Sequence, residues 1–378
     1  DVPQSVIETP KLLDRPGAIQ AGTEWTNVQN HYGTNRQKLV QDPKAVEPRL
    51  NLALLFMQEA RVTGEHGHYY PAALKMLDEA IALQPQDADL LFRTLTAKAS
   101  VMLSQHEFAE ALSIGQRALT MNQYNSGIYG VLVDAHVEMG NYEEAVKMSD
   151  KMVSVRPDLR SYSRVSYLRE IHGEVDGAIE AMKMAVQAGF PGYEETAWTR
   201  LTLGDLYRTY GDDKNAELQY RMTLAEREDY PFAIAALGDL ELERGNYEKA
   251  EQLLKQAAGI IPEFGFYVSL VDLYQKTGRD KEAKETLDEV FVMLQDDIDS
   301  GHNMNLEYAD LYLNQAKNLD KALKYALDEY SKRPANISVN KMLAKIYHKR
   351  GEQEKAAMHI EKASITDSKD PELLALKN

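Results

Sequence analysis

The sequence predicts an all-α fold, a right-handed α-solenoid of about nine helix-turn-helix units that ends in a C-terminal capping helix. Three observations support this prediction. An alanine recurs in a fixed frame, glycine and proline stand at constant distances from it, and the apolar residues between these marks follow helical spacing. No stretch of the chain shows the sustained alternation that is typical of a strand.

The frame is set by nine alanines that lie 33 to 39 residues apart. They are Ala73, Ala111, Ala145, Ala178, Ala216, Ala250, Ala283, Ala322 and Ala356. Most of them follow a glycine by five residues, and glycine can take the positive φ that ends a first helix tightly. Several precede a proline by twelve residues, and proline stops the second helix. The small alanine itself lets the two helices of a unit approach closely.

The spacings between the alanines run 38, 34, 33, 38, 34, 33, 39 and 34. We expect the longer connections to perturb stacking after the first, fourth and seventh units. The repeated series has two open explanations, duplication of a three-unit block or coincidence of loop lengths. Residues 63–71 predict a lengthened internal turn in the first unit, and Lys317 stands in the eighth unit where glycine is usual.

Both ends of the chain lie outside the frame. Residues 1–47 are predicted to form a linker and a helix from Trp25 to Val40 that caps the first unit. The array spans residues 48–365, and residues 366–378 are predicted to form a capping helix that starts near Pro371. Solenoids need such caps because each terminal unit otherwise leaves an apolar face bare.

The units resemble the tetratricopeptide repeat family over roughly residues 48–365. The clearest unit carries the family pattern at Leu237, Gly238, Gly245, Tyr247, Ala250, Leu254, Ala257 and Pro262. A second unit is similar at Leu203, Gly204, Tyr207, Gly211 and Ala216. The resemblance implies a superhelix in which the first helix of each unit lines a concave groove through its positions 2, 5, 9 and 12.

Composition and motifs disfavour several classes of function. The chain has 378 residues and a formal net charge of −16, which argues against binding to nucleic acid phosphates. It has no cysteine, no apolar run of the roughly 18 residues that a membrane span needs, and no phosphate-loop, dinucleotide or zinc-protease motif. His66 and His68 form the only close histidine pair, and a solvated turn is favoured there over a metal site. We therefore expect no catalytic site, no metal and no cofactor.

The chain begins with Asp1 in place of methionine and continues into a polar, proline-bearing lead. This beginning favours a bacterial protein that is exported or lipid-anchored and faces the cell envelope or periplasm, its signal peptide removed, over a cytoplasmic one.

The candidate binding residues lie at groove positions of consecutive units. Position 9 is occupied by Asp134, Tyr167, Asp205, Asp239, Asp272 and Asp310. Arg160 and Arg164 stand one helical turn apart and share a face with Tyr167, and Trp198 opens the next unit. Arg, Tyr and Trp dominate binding hot spots, and an acidic row would favour a basic partner. The alternative is structural: the aspartates and arginines pair with neighbouring helices, and Trp198 belongs to the core.

The leading hypothesis is a non-catalytic scaffold that binds a protein or peptide, of basic character if the acidic row is functional, in its concave groove. The alternative is a binding or sensor module for a small molecule or glycan, held by Tyr162, Tyr167 and Trp198. Lys341, Lys345 and Lys349 form either a second contact or a solvated end helix. The oligomeric state stays open.

Overall fold

The computed structural model describes residues 8–20 and 22–377, so residues 1–7 of the predicted linker, residue 21 and residue 378 lie outside it. Over the described residues the chain forms twenty α-helices, one short 3-10 helix (Gly17–Ile19) and no strand. The all-α solenoid predicted from the sequence is confirmed.

Eighteen helices form nine antiparallel pairs. The first helices of the pairs are α2 (Glu47–Thr63), α4 (Ala88–Ser104), α6 (Ser126–Glu138), α8 (Leu159–Ile171), α10 (Glu194–Thr209), α12 (Pro231–Glu243), α14 (Phe264–Lys276), α16 (Asn305–Asn314) and α18 (Ile337–Arg350). The second helices are α3 (His66–Ala82), α5 (Phe108–Met121), α7 (Tyr142–Val155), α9 (Val175–Ala188), α11 (Asp213–Glu226), α13 (Tyr247–Ile260), α15 (Asp280–Asp299), α17 (Leu319–Lys332) and α19 (Gln353–Ala363). All nine frame alanines are buried between the two helices of their pair.

Every turn within a pair contains a residue with positive φ. Seven of these residues are glycines, Gly64, Gly140, Gly173, Gly211, Gly245, Gly278 and Gly351. In the two units without a glycine, His106 and Lys317 take φ of 60° and 52°. The turn geometry therefore persists where the residue is unfavourable, because the packing of the two helices imposes it.

The prediction of a lengthened turn at residues 63–71 is wrong. Helix α2 continues to Thr63 and α3 begins at His66, so only Gly64 and Glu65 connect them. The additional residues lengthen the second helix, with Pro71 inside it. Tyr69 is fully buried there and its hydroxyl accepts a hydrogen bond from the Leu13 N–H at 3.1 Å, which anchors the segment in the core.

The three longer connections have different consequences. After the first and fourth units the helices on either side remain packed against each other. After the seventh unit the second helix runs on to Asp299, and the backbones of α15 and α16 separate. Side chains bridge this junction, including Phe291 against Tyr308 and Tyr312 at ring-centroid distances of 6.1 and 5.0 Å.

Two terminal helices cover the ends of the array. Helix α1 (Glu24–Gln41) packs on α2 and buries Trp25. Helix α20 (Pro371–Lys377) packs on α18 and α19. The Nζ atoms of Lys341 and Lys345 lie 2.7 Å from Asp370 and 3.1 Å from Glu372, so these lysines hold the C-terminal helix in place.

The superhelix makes a full turn and then contacts itself. Three hydrogen bonds join residues 195 apart in sequence: Gln105 to Ser300, Glu138 to Arg333, and Tyr142 to Ile337. In each case the turn between the two helices of one unit contacts a linker five units further along the chain. The turn of the second unit contacts the linker after the seventh, and the turn of the third contacts the linker after the eighth. Gly64 lies beside Ile261, and Gly173 beside Asp367, in the same register. We call these contacts the inter-turn seam.

Arg333 is the centre of the inter-turn seam. Its side chain is almost fully buried and forms ion pairs with Glu329 of its own unit and Glu138 of the preceding turn. Its guanidinium carbon also lies 4.5 Å from the ring centroid of Phe108. Burial raises the pKa of Glu138, and the adjacent Arg333 opposes this shift. The pair with Glu138 exists only while the two turns remain in contact, whereas the pair with Glu329 lies within one unit.

Gly140 and Gly245 provide a matched test of the inter-turn seam. Both have φ of 79° and both precede Asn-Tyr-Glu. A Cβ on Gly140 would lie 2.6 Å from the backbone carbonyl carbon of Ala335, whereas a Cβ on Gly245 would meet no atom within 4 Å. We expect Gly245→Ala to cost roughly 1–2 kcal/mol of unfolding free energy from backbone strain. Gly140→Ala should cost more and should also open the seam.

Urea unfolding measures the loss of stability, and the radius of gyration from small-angle X-ray scattering measures the opening of the seam. We expect the radius to increase for Gly140→Ala and to stay unchanged for Gly245→Ala. Equal losses of stability with an unchanged radius in both variants would show that the seam contributes nothing at this position.

Candidate functional site

The residues at position 9 lie half-buried along the first helices, and each aspartate has a partner. The pairs are Asp134 with Arg164, Asp205 with the Tyr220 hydroxyl, Asp239 with Arg208, Asp272 with the Gln315 amide and Asp310 with the Asn314 amide. Pairing with a neighbouring helix or its cap, the structural role considered from the sequence, occurs at Asp134, Asp205, Asp239 and Asp272, whereas Asp310 pairs within its own helix α16. Their role in binding a partner stays a prediction.

The two candidate arginines connect neighbouring first helices. Arg164 donates two hydrogen bonds to Asp134 of α6, at 2.9 and 2.5 Å, and a third to the Gly130 carbonyl at 3.2 Å. Arg160 forms an ion pair with Glu195 of α10. A bidentate pair of this kind fixes the orientation of both helices, so we expect Arg164 to shape the groove as well as to face it.

Aromatic side chains form a row on the same face. Trp198 is 49% exposed and packs edge-on against Phe232 at a centroid distance of 5.4 Å, so it is not a core residue. Phe232 in turn packs on Phe266 at 5.6 Å. Sequence reasoning missed Phe232, although it occupies position 2 of its unit, as Trp198 does in the preceding one. We call Trp198 and Phe232 the aromatic row; Phe266 is only 5% exposed and supports Phe232 from the core.

The cluster proposed for a small molecule or glycan is divided in the structure. Tyr167 is 39% exposed on the groove side of α8. Tyr162 instead packs against the buried cluster of Met182, Ala185 and Leu203. The structure therefore does not bring Tyr162 together with Trp198. Sequence reasoning also missed Phe190 and Tyr193, an exposed pair in the linker before α10, where Pro-Gly signals a turn but predicts no contact.

Burial governs the electrostatics of the groove carboxyls. It raises the pKa of Asp205, Asp239 and Asp272 above the usual aspartate range. The Tyr220 hydroxyl, the Arg208 guanidinium and the Gln315 amide oppose these shifts at the three positions in turn. These three carboxyls therefore lose their negative charge at a higher pH than exposed aspartates do.

The histidine pair of the first unit is incorporated into α3. The ring of His66 lies 5.5 Å from Tyr70 and 6.2 Å from His302, which belongs to the inter-turn seam region. Burial lowers the pKa of His66 to about 4, so the ring is neutral near pH 7. Over residues 8–20 and 22–377, no group of three or more His, Cys, Asp or Glu side chains is placed to hold a metal ion.

Comparison with known proteins matches one family model over part of the chain, and several solved structures. Residues 102–169 match the family model described as tetratricopeptide repeat. A search of curated proteins finds no match to this chain. No helix in the described part of the chain combines the length and the apolar character that crossing a membrane requires.

Two solved structures are similar to this chain at low sequence identity. The human IFIT1 dimer with PPP-AAAA is 15% identical, with a TM-score of 0.54, over 90% of this chain and 77% of IFIT1. A thermophilic tetratricopeptide repeat protein of Thermus thermophilus is 22% identical, with a TM-score of 0.45, over 52% of this chain and 99% of that protein. At these identities the likeness to IFIT1 shows the fold alone.

Glu263, at the start of α14, predicts a measurable pH dependence. Burial raises the pKa of its carboxyl from 4.5 to about 7, and Asp297 adds repulsion. A carboxyl with a raised folded-state pKa lowers stability as pH rises from about 4.5 through 7. We expect Glu263→Gln to raise the free energy of unfolding at pH 8 and to leave it nearly unchanged at pH 4.

Urea unfolding at the two pH values measures this difference. Glu248→Gln, at an exposed glutamate in the first turn of α13, is the control and should have little effect at either pH. A Glu263→Gln variant that is less stable than the wild type at pH 8 would contradict the assignment of a burial penalty to Glu263.

Proposed function

We propose that this chain, which is built from tetratricopeptide repeats, is a non-catalytic scaffold whose concave groove binds a basic segment of a protein or peptide. The aromatic row supplies the anchoring surface and the position-9 aspartates select the charge of the partner. The proposal applies to the groove formed by α6, α8, α10, α12, α14 and α16.

The half-exposed indole of Trp198 carries this proposal. A tryptophan that is 49% exposed while its edge contact with Phe232 fixes its orientation is a preorganised anchor. Large aromatic side chains that are held rigidly contribute to binding at low entropic cost. A partner that covers Trp198 would also extend contact to Phe232 in the next unit, which matches an elongated ligand.

The charge of the groove favours a basic partner. Asp205 and Asp239 lie close enough that Asp205 raises the pKa of Asp239, and Asp310 acts similarly on Asp272. Cationic side chains of a partner would relieve this repulsion. The net charge of −16 would also accelerate the encounter with a basic segment at low ionic strength.

Fluorescence anisotropy with labelled peptides tests the proposal. We expect a panel of Lys/Arg-rich peptides to bind, acidic peptides of equal length and apolar content to bind far more weakly, and affinity for the basic peptides to fall as salt increases. Trp198→Ala should weaken binding at least about tenfold, which corresponds to about 1.4 kcal/mol. Circular dichroism should show that this variant stays folded.

Asp239→Asn removes one carboxylate from the groove, and Asp288→Asn, its matched control, removes one from the exposed side of α15. We expect only Asp239→Asn to slow association and to reduce the salt dependence. Equal binding of acidic and basic peptides, or wild-type affinity in Trp198→Ala, would contradict the proposed function.

A further inference from the structure

A cavity of about 320 Å³ opens at the junction where α15 and α16 separate. This volume lies at the lower end of the range of about 300–1,000 Å³ found for ligand pockets. Eleven residues line it, most of them apolar residues of α14, α15, α16 and α18. Four of them, Gly265, Val268, Leu306 and Asp310, stand at positions 2, 5, 5 and 9 of the seventh and eighth units, so the cavity belongs to the groove face.

The cavity lies next to the aromatic row. Position 2 is Trp198 in the fifth unit, Phe232 in the sixth and Gly265 in the seventh. A Cβ built on Gly265 would meet no atom within 4 Å. The side chain that occupies position 2 in the two preceding units is missing here, so the space is open.

The polar groups of the cavity are acceptors. Gln315 is only 6% exposed, and its amide nitrogen donates to Asp272 Oδ1 at 3.0 Å, which leaves Oε1 buried without a hydrogen-bond partner. Oε2 of Glu307 is likewise buried without a hydrogen-bond partner, while Oε1 of the same carboxylate lies 3.7 Å from Nδ1 of His106. Asp310 adds a second carboxylate. Unpaired buried acceptors are costly, so these oxygens favour an occupant that donates hydrogen bonds.

The remaining walls are aliphatic or aromatic. An occupant must therefore combine a cationic donor group with an apolar stem. A lysine side chain meets both requirements, because its ammonium group has three donors and its four-carbon stem packs against apolar surface. The three acceptor groups contributed by Glu307, Asp310 and Gln315 match the three donors.

We propose that this cavity receives a lysine side chain of the bound partner, with its ammonium group between Glu307, Asp310 and the Gln315 carbonyl. The inference deepens the proposed function and rests on it for the identity of the partner. It places one lysine of the partner at the seventh and eighth units, beyond the aromatic row that holds the preceding part of the segment.

The cavity is tested first without a partner, using n-hexylammonium chloride as the probe and 1-hexanol as its uncharged analogue. Met342 lines the cavity, so the methyl signal of ¹³C-labelled methionine, assigned with Met342→Leu, reports occupancy. We expect hexylammonium to shift this signal at concentrations at least tenfold lower than hexanol does. Equal effects of the two probes, or no effect of either, would overturn the inference.

Gly265→Leu fills the cavity, and Gly259→Leu is its matched control. Both glycines are helical and have open space around the Cβ position, but Gly259 lies in α13 away from the cavity. We expect hexylammonium binding to be lost in Gly265→Leu and retained in Gly259→Leu. Retention in both variants would place the probe elsewhere and overturn the inference.

Peptide variants then test whether a lysine of the bound partner occupies the cavity. For the basic peptide that binds best, lysines are replaced one at a time by norleucine, which keeps the stem and removes the ammonium group. We expect one replacement to weaken binding to the wild-type protein at least tenfold and to have little effect on binding to the Gly265→Leu variant.

If no replacement distinguishes the two proteins while Trp198→Ala still weakens binding, the lysine assignment fails and the proposed function stands. If no peptide binds but hexylammonium does, the proposed function fails and with it the assignment to a partner's lysine.

Discussion

The ion pairs of Arg333 hold two successive turns of the superhelix together, and the shape of the molecule depends on them. The guanidinium group is buried between Glu329 of its own unit, Glu138 of the preceding turn and the Phe108 ring. A buried charge without partners is very unfavourable, so the second turn must stay where its charges are satisfied. This contact also fixes the distance between the third and eighth units, and with it the span of the groove that lies between them.

The inter-turn seam separates this protein from a simple linear array. In most repeat proteins each unit contacts only its neighbours, and stability is a sum of local terms. Here Gln105, Glu138 and Gly173 contact residues about 195 positions later. Distant units are therefore coupled, and a change at one edge of the solenoid can reach the groove residues of units between them.

The groove residues that we propose for binding also have structural roles. Asp205 accepts a hydrogen bond from Tyr220 of its own unit, while Arg164 and Asp134 join two units. The candidate ligand cavity lies at the one junction where regular stacking is relaxed, beside the longer connection after the seventh unit. Regular packing leaves little unfilled space, so an irregular junction is where a cavity with unpaired polar atoms can persist.

The sequence predicted the helical pairs and their number, because alanine and glycine act locally at a fixed period, but it misplaced the turn of the first unit. It also indicated Trp198 and the row of aspartates through the groove positions of each unit. It did not reveal the inter-turn seam, because nothing in the sequence indicates that Glu138 and Arg333 come into contact. Nor did it reveal the cavity or the partners of the aspartates. Those features depend on how small rotations between units accumulate over a full turn, and only the tertiary structure fixes that sum.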